Sequence, residues 1–479
     1  MSNCPDTGIR VSIKPGKARG TAVAPPSKSY AQRILICAAL SSGISRIQGI
    51  SESEDVLAAL DCIKALGADY ERDGEEVVVF GREASGVSIE KKIQATPGED
   101  DYEHVAGTRA KILSQETGTR AKILSQETDT RAEELSQGTG TRSENPGQEI
   151  EGTAVFPCRE SGNTLRFFLP ISLCFYDRVR FTGSSRLMER GISVYEEVFR
   201  GKNISVKRDS LSIEAEGRLT PGEYTIRGDV SSQFVTGLLF ALPLLDGESR
   251  LQILPPIESR PYIDITIDVL KSFGIQASEV SEGCFVIPGK QQYKARDITV
   301  EGDWSNGAFL YALKSLGGEL AIQGLRPESR QGDKLCVEYF EKLKEAMPEL
   351  DISGCPDLGP VLFALAAAKN GAVITGTRRL KIKESDRTGA MKEELEKLGA
   401  RVEVSDNSVT VFAPESGIHE PSVPLNGHND HRIVMALSVL LTLTGGEITG
   451  AEAVGKTWKE FFEVLKGIGI KAEVADAVY

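Results

Sequence analysis

Four stretches of the chain share one hydrophobic rhythm. In LDCIKALGADYE (60–71), DVLKSFGIQA (268–277), EELEKLGARVEV (393–404) and FEVLKGIGIKAEV (462–474), Leu, Ile, Val or Phe recur at helical spacing, a glycine follows, and a short strand-like run comes next. The period near 3.6 predicts an amphipathic helix. Gly67, Gly274, Gly399 and Gly469 stand where a helix closes in a left-handed turn that a Cβ disfavours. YEEVFRGKNISVK (195–207) and FEKLKEAMPELDI (340–352) are weaker copies of the same unit. Three copies precede residue 300 and three follow it. The pattern therefore predicts an α/β protein of duplicated architecture, two halves of three helix-and-strand units, with ligands held in a cleft between them.

One segment breaks the rhythm. Between Pro97 and about Gly147 an 11-residue unit recurs, twice as GTRAKILSQET (107–117 and 118–128) and once as DTRAEELSQGT (129–139). Eleven residues match three helical turns, but the unit offers little more than Ile and Leu as an apolar stripe. So little apolar area cannot offset the entropy of ordering, so a solvated insertion in a surface loop is expected.

Composition narrows the function. The chain has 479 residues, 69 acidic against 56 basic, and a net charge of −13. Such a balance lacks the field that holds phosphate backbones, which argues against a nucleic-acid partner. No run approaches the roughly 18 to 20 apolar residues of a membrane span, and MSNCPDTGIRVSIKPG has no apolar signal segment, so no membrane association and a cytoplasmic location are expected. The eight cysteines are scattered without CxxC pairing and read as buried reduced thiols. His104, His419, His428 and His431 show no zinc-ligand spacing; the last two read as loop histidines.

On an acidic chain, sites for anions must be local clusters of cations, and six polar islands fit. PPSKSYAQR sets Lys28, Ser29 and Arg33 at the start of an apolar helix, where unpaired N–H groups favour an anion. CRESGNTLRFF places Gly162 where backbone can approach a ligand, and TGSSRLMER supplies Arg186 and Arg190. GDVSSQF gives Ser231, Ser232 and Gln233 ahead of another apolar helix. KIKESDR holds Lys381, Lys383, Glu384 and Arg387; GHNDHR holds Asn429, Asp430, His431 and Arg432. Taken singly, each island is explained as well by helix capping. GAEAVGKT (450–457) matches a phosphate-loop pattern, but only 22 residues follow it, so a nucleotide site there would need upstream strands in a permuted order; a nucleotide loop is not expected, and Lys456 stays a candidate anion contact.

In order along the chain, PPSKSYAQR, ESGNTLRF, GDVSSQF, ESRPYIDIT, EGDWSN, PDLGPVLFALAAA, RRLKIKESDR, GHNDHR and VGKTWKEFF resemble the motifs of the 5-enolpyruvylshikimate-3-phosphate synthase family, from about Ile13 to about Gly467. The resemblance implies two domains of three βαβαββ units each: residues 27–300, carrying the insertion, and residues 1–26 with 301–479. It implies transfer of the enolpyruvyl group of phosphoenolpyruvate to the 5-hydroxyl of shikimate 3-phosphate through a tetrahedral intermediate, by a monomer without metal or organic cofactor. Phosphoenolpyruvate would meet Lys28, Gly162, Arg186, Gln233, Arg387, Arg432 and Lys456. Shikimate 3-phosphate would meet Ser29, Arg33, Ser231, Ser232, Gln233, Ser259, Asp357 and Lys383. Asp357 would take the hydroxyl proton, and Glu384, partnered by Lys28, would protonate the methylene carbon.

Three residues depart from the family pattern: Asn163 for Thr or Ser, Phe167 for Pro, and Arg379 for Asn. They bear on substrate affinity and on sensitivity to the family's inhibitor glyphosate, of which some is expected because Gly162 is kept. The related UDP-N-acetylglucosamine enolpyruvyl transferases show Lys-Asn where this chain has Lys28-Ser29, together with a reactive loop cysteine.

Overall fold

The computed structural model describes residues 8–82 and 153–475, and the 11-residue repeats lie outside them. Five four-stranded sheets and one two-stranded pair are formed among the described residues. All five repeat one pattern, a parallel pair followed by two antiparallel neighbours. In one of them Ala154–Pro157 runs parallel to Arg178–Thr182, which pairs antiparallel with Ser212–Glu216, and that strand with Ser205–Arg208. The sheet starting at Gly222–Arg227 and the one starting at Glu349–Asp351 are built the same way. Two sheets borrow a strand from far along the chain. Ile298–Thr299 pairs with Ile44–Gln48, and Arg10–Ile13 lies between Gly446–Thr449 and Ala472–Ala475. In the sixth unit Arg19–Val23 pairs parallel with Glu319–Gln323.

The glycine stops fall where the rhythm places them. The helices Glu54–Ala65, Arg260–Ser272, Arg387–Lys397 and Phe461–Gly467 are each followed, after one residue, by Gly67, Gly274, Gly399 or Gly469, with φ of 93°, 81°, 92° and 87°. In the weaker copies Asn203 and Met347 take the left-handed conformation instead, at 55° and 49°.

Two hydrophobic cores result. One draws on residues from Tyr30 to Val300; the other joins Val11, Ile13, Ala18 and Ala22 to residues from Trp304 to Ala472. The two strands of chain that pass between them are hydrogen-bonded to each other, Ser27 N to Glu301 O at 2.8 Å and Asp303 N to Pro25 O at 2.7 Å. The helices inside the cores are those that cross over between parallel strands. Gly359–Ala368 is buried at nine of ten residues and His431–Thr444 at twelve of fourteen, so neither has a solvent face. A crossover helix starts just beyond the carboxyl end of its first strand, the place where open α/β sheets bind ligands. All seven described cysteines are free, six of them buried.

Phe168 is fully buried on the Gly162–Ser172 helix, its ring 6.3 Å from that of Phe156. Phe168→Ala should cost about 3–5 kcal/mol in urea unfolding, and a loss under about 1 kcal/mol would contradict the packing described.

Candidate active site

One cavity collects residues from both cores. Lys28, Ser29, Arg33, Asp55, Gly162, Asn163, Arg190, Ser231, Ser232, Gln233, Ser259 and Tyr262 line it from one side; Asp357, Arg379, Lys383, Glu384, Arg387, His431 and Arg432 line it from the other. Its wall includes the first turns of the helices Lys28–Leu40, Gly162–Ser172, Ser232–Ala241, Arg387–Lys397 and His431–Thr444, so unpaired N–H groups and dipole ends add to its side-chain cations. With Glu160 included, seven basic side chains face four carboxylates. On a chain of net −13, that is a concentrated positive site.

Asp357 stands at the centre of the charge pattern. It lies in the turn before Gly359–Ala368, 3.0 Å from Arg387 Nη1, 3.0 Å from Arg432 Nη2 and 3.4 Å from Lys383 Nζ. Burial pushes its carboxyl up, but Arg432, Lys383 and Arg387 together hold it well below the usual carboxylate range. Glu384 accepts from Arg387 Nη2 at 2.8 Å. Burial opposes its ionisation too, and Arg387, with Lys28 and Lys383, outweighs it and keeps the carboxyl well below its ordinary value. His431 adds no charge there at neutral pH, because burial drives its imidazole down to about 3. It opens the His431–Thr444 helix almost fully buried, so it is not the loop histidine that the sequence implies.

Lys28 donates to Asp55 Oδ2 at 2.9 Å. Burial lowers its ammonium, but Asp55 and Glu384 more than compensate and hold it above its ordinary value. Arg33 is buried, donating to Thr266 Oγ1, Ser29 O and Tyr262 O, with its guanidinium 5.2 Å over the Phe167 ring. Burial lowers it to about 10, so it stays charged at neutral pH. Lys383 is likewise lowered by burial, with Asp357 opposing.

Two predicted contacts lie elsewhere. Arg186 is exposed near the start of the six-residue helix Ser185–Arg190 and lines a neighbouring cavity. Arg190, one helical turn on, takes the place beside Gly162 instead: a methyl on Gly162 would sit 3.0 Å from Arg190 Nη2 and 3.2 Å from Arg166 Nη1. Lys456 does not line the cavity. It donates to Asn429 O at 2.9 Å and lies 3.6 Å from Glu160, at the rim. The phosphate-loop pattern around it forms the short 3-10 turn Ala451–Lys456 with Ala451, Ala453 and Val454 buried, and the next helix begins only at Phe461.

Several further residues complete the site; of these Asp430 belongs to a polar island read from the sequence, whereas Asp55, Arg166 and Tyr262 were not singled out there. Asp430 caps the His431–Thr444 helix through Arg432 N and accepts from Arg387 Nε at 2.8 Å, which fixes that arginine. Asp55 is the counterion of Lys28, and Arg166 bonds to Gln233 and to Gly191 O. Tyr262 places its hydroxyl 3.2 Å from Asp357 Oδ2. The departures are also built in. Asn163 donates to Gln32 Oε1 at 2.8 Å. Arg379 reaches across from the second core to Ser259 Oγ at 2.7 Å and pairs with Glu258.

Among the described residues no helix is long and apolar enough to cross a membrane. The family described as EPSP synthase (3-phosphoshikimate 1-carboxyvinyltransferase) matches residues 13–97 and 114–465. The 3-phosphoshikimate 1-carboxyvinyltransferases of Clostridium kluyveri and Clostridioides difficile are each 34% identical to the chain, covering 96% of it and 97% of their own length. An EPSP synthase structure from Acinetobacter baumannii superposes with a TM-score of 0.70 at 18% identity, over 98% of this chain and all of that one. The enolpyruvyl transferase NikO from Streptomyces tendae superposes at 0.67 and 16% identity, over 99% of this chain and all of its own. The fold is that of the enolpyruvyl transferases, and the chain belongs to the EPSP synthase family.

Proposed function

We propose that the chain transfers the enolpyruvyl group of phosphoenolpyruvate to the 5-hydroxyl of shikimate 3-phosphate and releases phosphate, a step of aromatic amino-acid biosynthesis. The observation that carries this reading is the pairing of two ionised carboxylates, Asp357 and Glu384, with a dense ring of cations in a cavity drawn from both cores. Each substrate carries about three negative charges, one carboxylate and one phosphate, so bringing both together requires many fixed cations out of bulk water.

In this reading Arg387, Arg432, Arg190 and Lys28 hold phosphoenolpyruvate, and guanidinium forks suit its carboxylate and phosphate. Ser231, Ser232, Ser259 and Lys383 hold the ester phosphate of the acceptor, while Ser29 and Arg33 face its carboxylate. Asp357 accepts the 5-hydroxyl proton as oxygen attacks C2 of phosphoenolpyruvate, and Glu384 delivers a proton to C3. Loss of a C3 proton and of phosphate from the tetrahedral adduct then restores the double bond. In the ligand-free site both carboxylates are held ionised by Arg387 and its neighbours. Substrate anions that claim those cations raise the carboxyl of Glu384 toward the range where it carries a proton to give. The two cores, residues 27–300 and residues 1–26 with 301–479, act as domains that close on the substrates.

Phosphate release should require both substrates, and UDP-N-acetylglucosamine should not replace shikimate 3-phosphate. Asp357→Ala and Glu384→Ala should each lower kcat by roughly 100-fold or more in that assay, with circular dichroism unchanged. Release without the acceptor, or full activity in either variant, would overturn the assignment.

The two arginines of the Ser185–Arg190 helix separate the geometry from the motif. Arg190→Ala should raise the KM for phosphoenolpyruvate about tenfold or more, whereas Arg186→Ala should change it by less than about threefold. The reverse ranking in steady-state kinetics would contradict the placement of Arg190 beside Gly162.

A further inference from the structure

Asp333 is a buried carboxyl outside the residues used so far. It sits in the short turn Gly332–Leu335 with 2% of its surface exposed, and its Oδ1 faces no donor among the described residues. Its Oδ2 lies 3.3 Å from the Tyr262 hydroxyl, which is also 3.2 Å from Asp357 Oδ2. One hydroxyl therefore stands between two carboxyl groups, and it has one proton to offer. The two carboxyls are not equivalent. Asp357 has Arg387, Arg432 and Lys383 within 3.4 Å, whereas Tyr262 is the hydrogen-bond partner of Asp333 among the described residues. A buried carboxylate without a contacting cation is costly, and ionising both groups would set one of them against the lone pairs of the phenol oxygen.

We propose, building on the assignment of Asp357 as the base, that Asp333 is a positioning residue that acts in its protonated form: its carboxyl O–H donates to the Tyr262 oxygen, and the Tyr262 O–H donates to Asp357 Oδ2. The chain of two hydrogen bonds aims the carboxylate of Asp357 and moderates its basicity. The charges that face Asp333 agree with this state. Burial raises its carboxyl to about 7, Asp357 and Asp303 push the same way, and Arg432 and the Tyr262 hydroxyl pull against them. Cys336 and Cys355 also face it, and burial keeps both thiols protonated, so neither supplies a charge. Tyr262 holds its own proton firmly, pushed well above its ordinary value by burial and then by the two carboxyls.

The sign of the pH effect follows. As Asp333 loses its proton near pH 7, a negative charge appears beside the Tyr262–Asp357 pair and competes for the phenol proton. Both changes make Asp357 a stronger base, so proton abstraction speeds up with rising pH. Stability moves the other way. Between about pH 4 and about pH 7 the folded state keeps a proton that the unfolded chain has lost, so native stability falls across that window relative to a variant without the group.

Asp333→Asn keeps a donor for the Tyr262 oxygen and cannot titrate. The native enzyme should show a severalfold rise in kcat between about pH 6 and about pH 8 that Asp333→Asn lacks, with KM values little changed. The melting temperature of Asp333→Asn relative to native should increase as pH rises from about 5 to about 8. Parallel kcat profiles, or a melting difference independent of pH, would overturn the proposal. Tyr262→Phe supplies a second variant: it should also lose the kcat step, while keeping the melting behaviour of a titrating Asp333. A step that survives in it would refute the relay through Tyr262. If no acceptor-dependent phosphate release is found at all, the assigned reaction fails, and the melting comparison still decides the protonation state of Asp333.

Discussion

Three arginines, Arg33, Arg387 and Arg432, are among the largest fully buried side chains of the protein, and the rest of the site is arranged around the need to neutralise them. Removing a guanidinium from water is expensive, and the penalty is repaid only when carboxylates and carbonyls satisfy its donors. Arg387 meets Asp357, Glu384 and Asp430, and Arg432 meets Asp357 and Ser305, whereas Arg33 has no carboxylate partner among the described residues and relies on two carbonyls, a threonine hydroxyl and an aromatic face. Hydrophobic residues of the same volume would stabilise the fold as well or better. The cluster makes sense as a site that exchanges its internal carboxylates for ligand anions. Because those carboxylates are the groups assigned to move protons, anion binding and proton handling are one electrostatic event.

The fold delivers this cluster through a repeated local device. The crossover helices Gly162–Ser172, Ser232–Ala241 and His431–Thr444 are apolar over most of their length and almost wholly buried, and the polar residues of their first turns face the cavity. Ser161, Ser231 and Asp430 cap their own helices, which satisfies some of the N–H groups and leaves Gly162, Ser232 and Arg432 directed at the cavity. Duplicating the unit in two cores places such ends on both sides of one space. The crossing segments 24–27 and 300–303, which join the two cores, are tied to each other by backbone hydrogen bonds.

Much of this was readable in the sequence because it depends on local spacing. The helix rhythm, the four glycine stops and the polar islands before apolar runs all encode features within a dozen residues. What escaped depends on contacts between distant residues. Asp55 is 27 residues from Lys28, Asp430 is 43 from Arg387, and Tyr262 is 71 from Asp333, and nothing near a lone acidic residue announces which cation it will meet. Arg190 was passed over for Arg186 although both stand in one short motif. Their spacing of four put both on one helix face, and only the packing of that helix end against Gly162 separates them. His431 looked like a loop residue because its neighbours are polar, but Asp430 caps a helix that begins with it.

The central claim is that the site adds a hydroxyl across the double bond of phosphoenolpyruvate and then eliminates phosphate, with a proton passing to and from C3. The most direct test is to run the reaction in D₂O and examine the vinyl methylene of the product by NMR. Protonation converts that methylene to a methyl group that loses one of three hydrogens, so the account predicts deuterium in the product methylene, with its entry suppressed in Glu384→Ala. A product formed at normal rate with no deuterium at that carbon would mean that the C3 proton never exchanges with a solvent-derived one, and would contradict the mechanism.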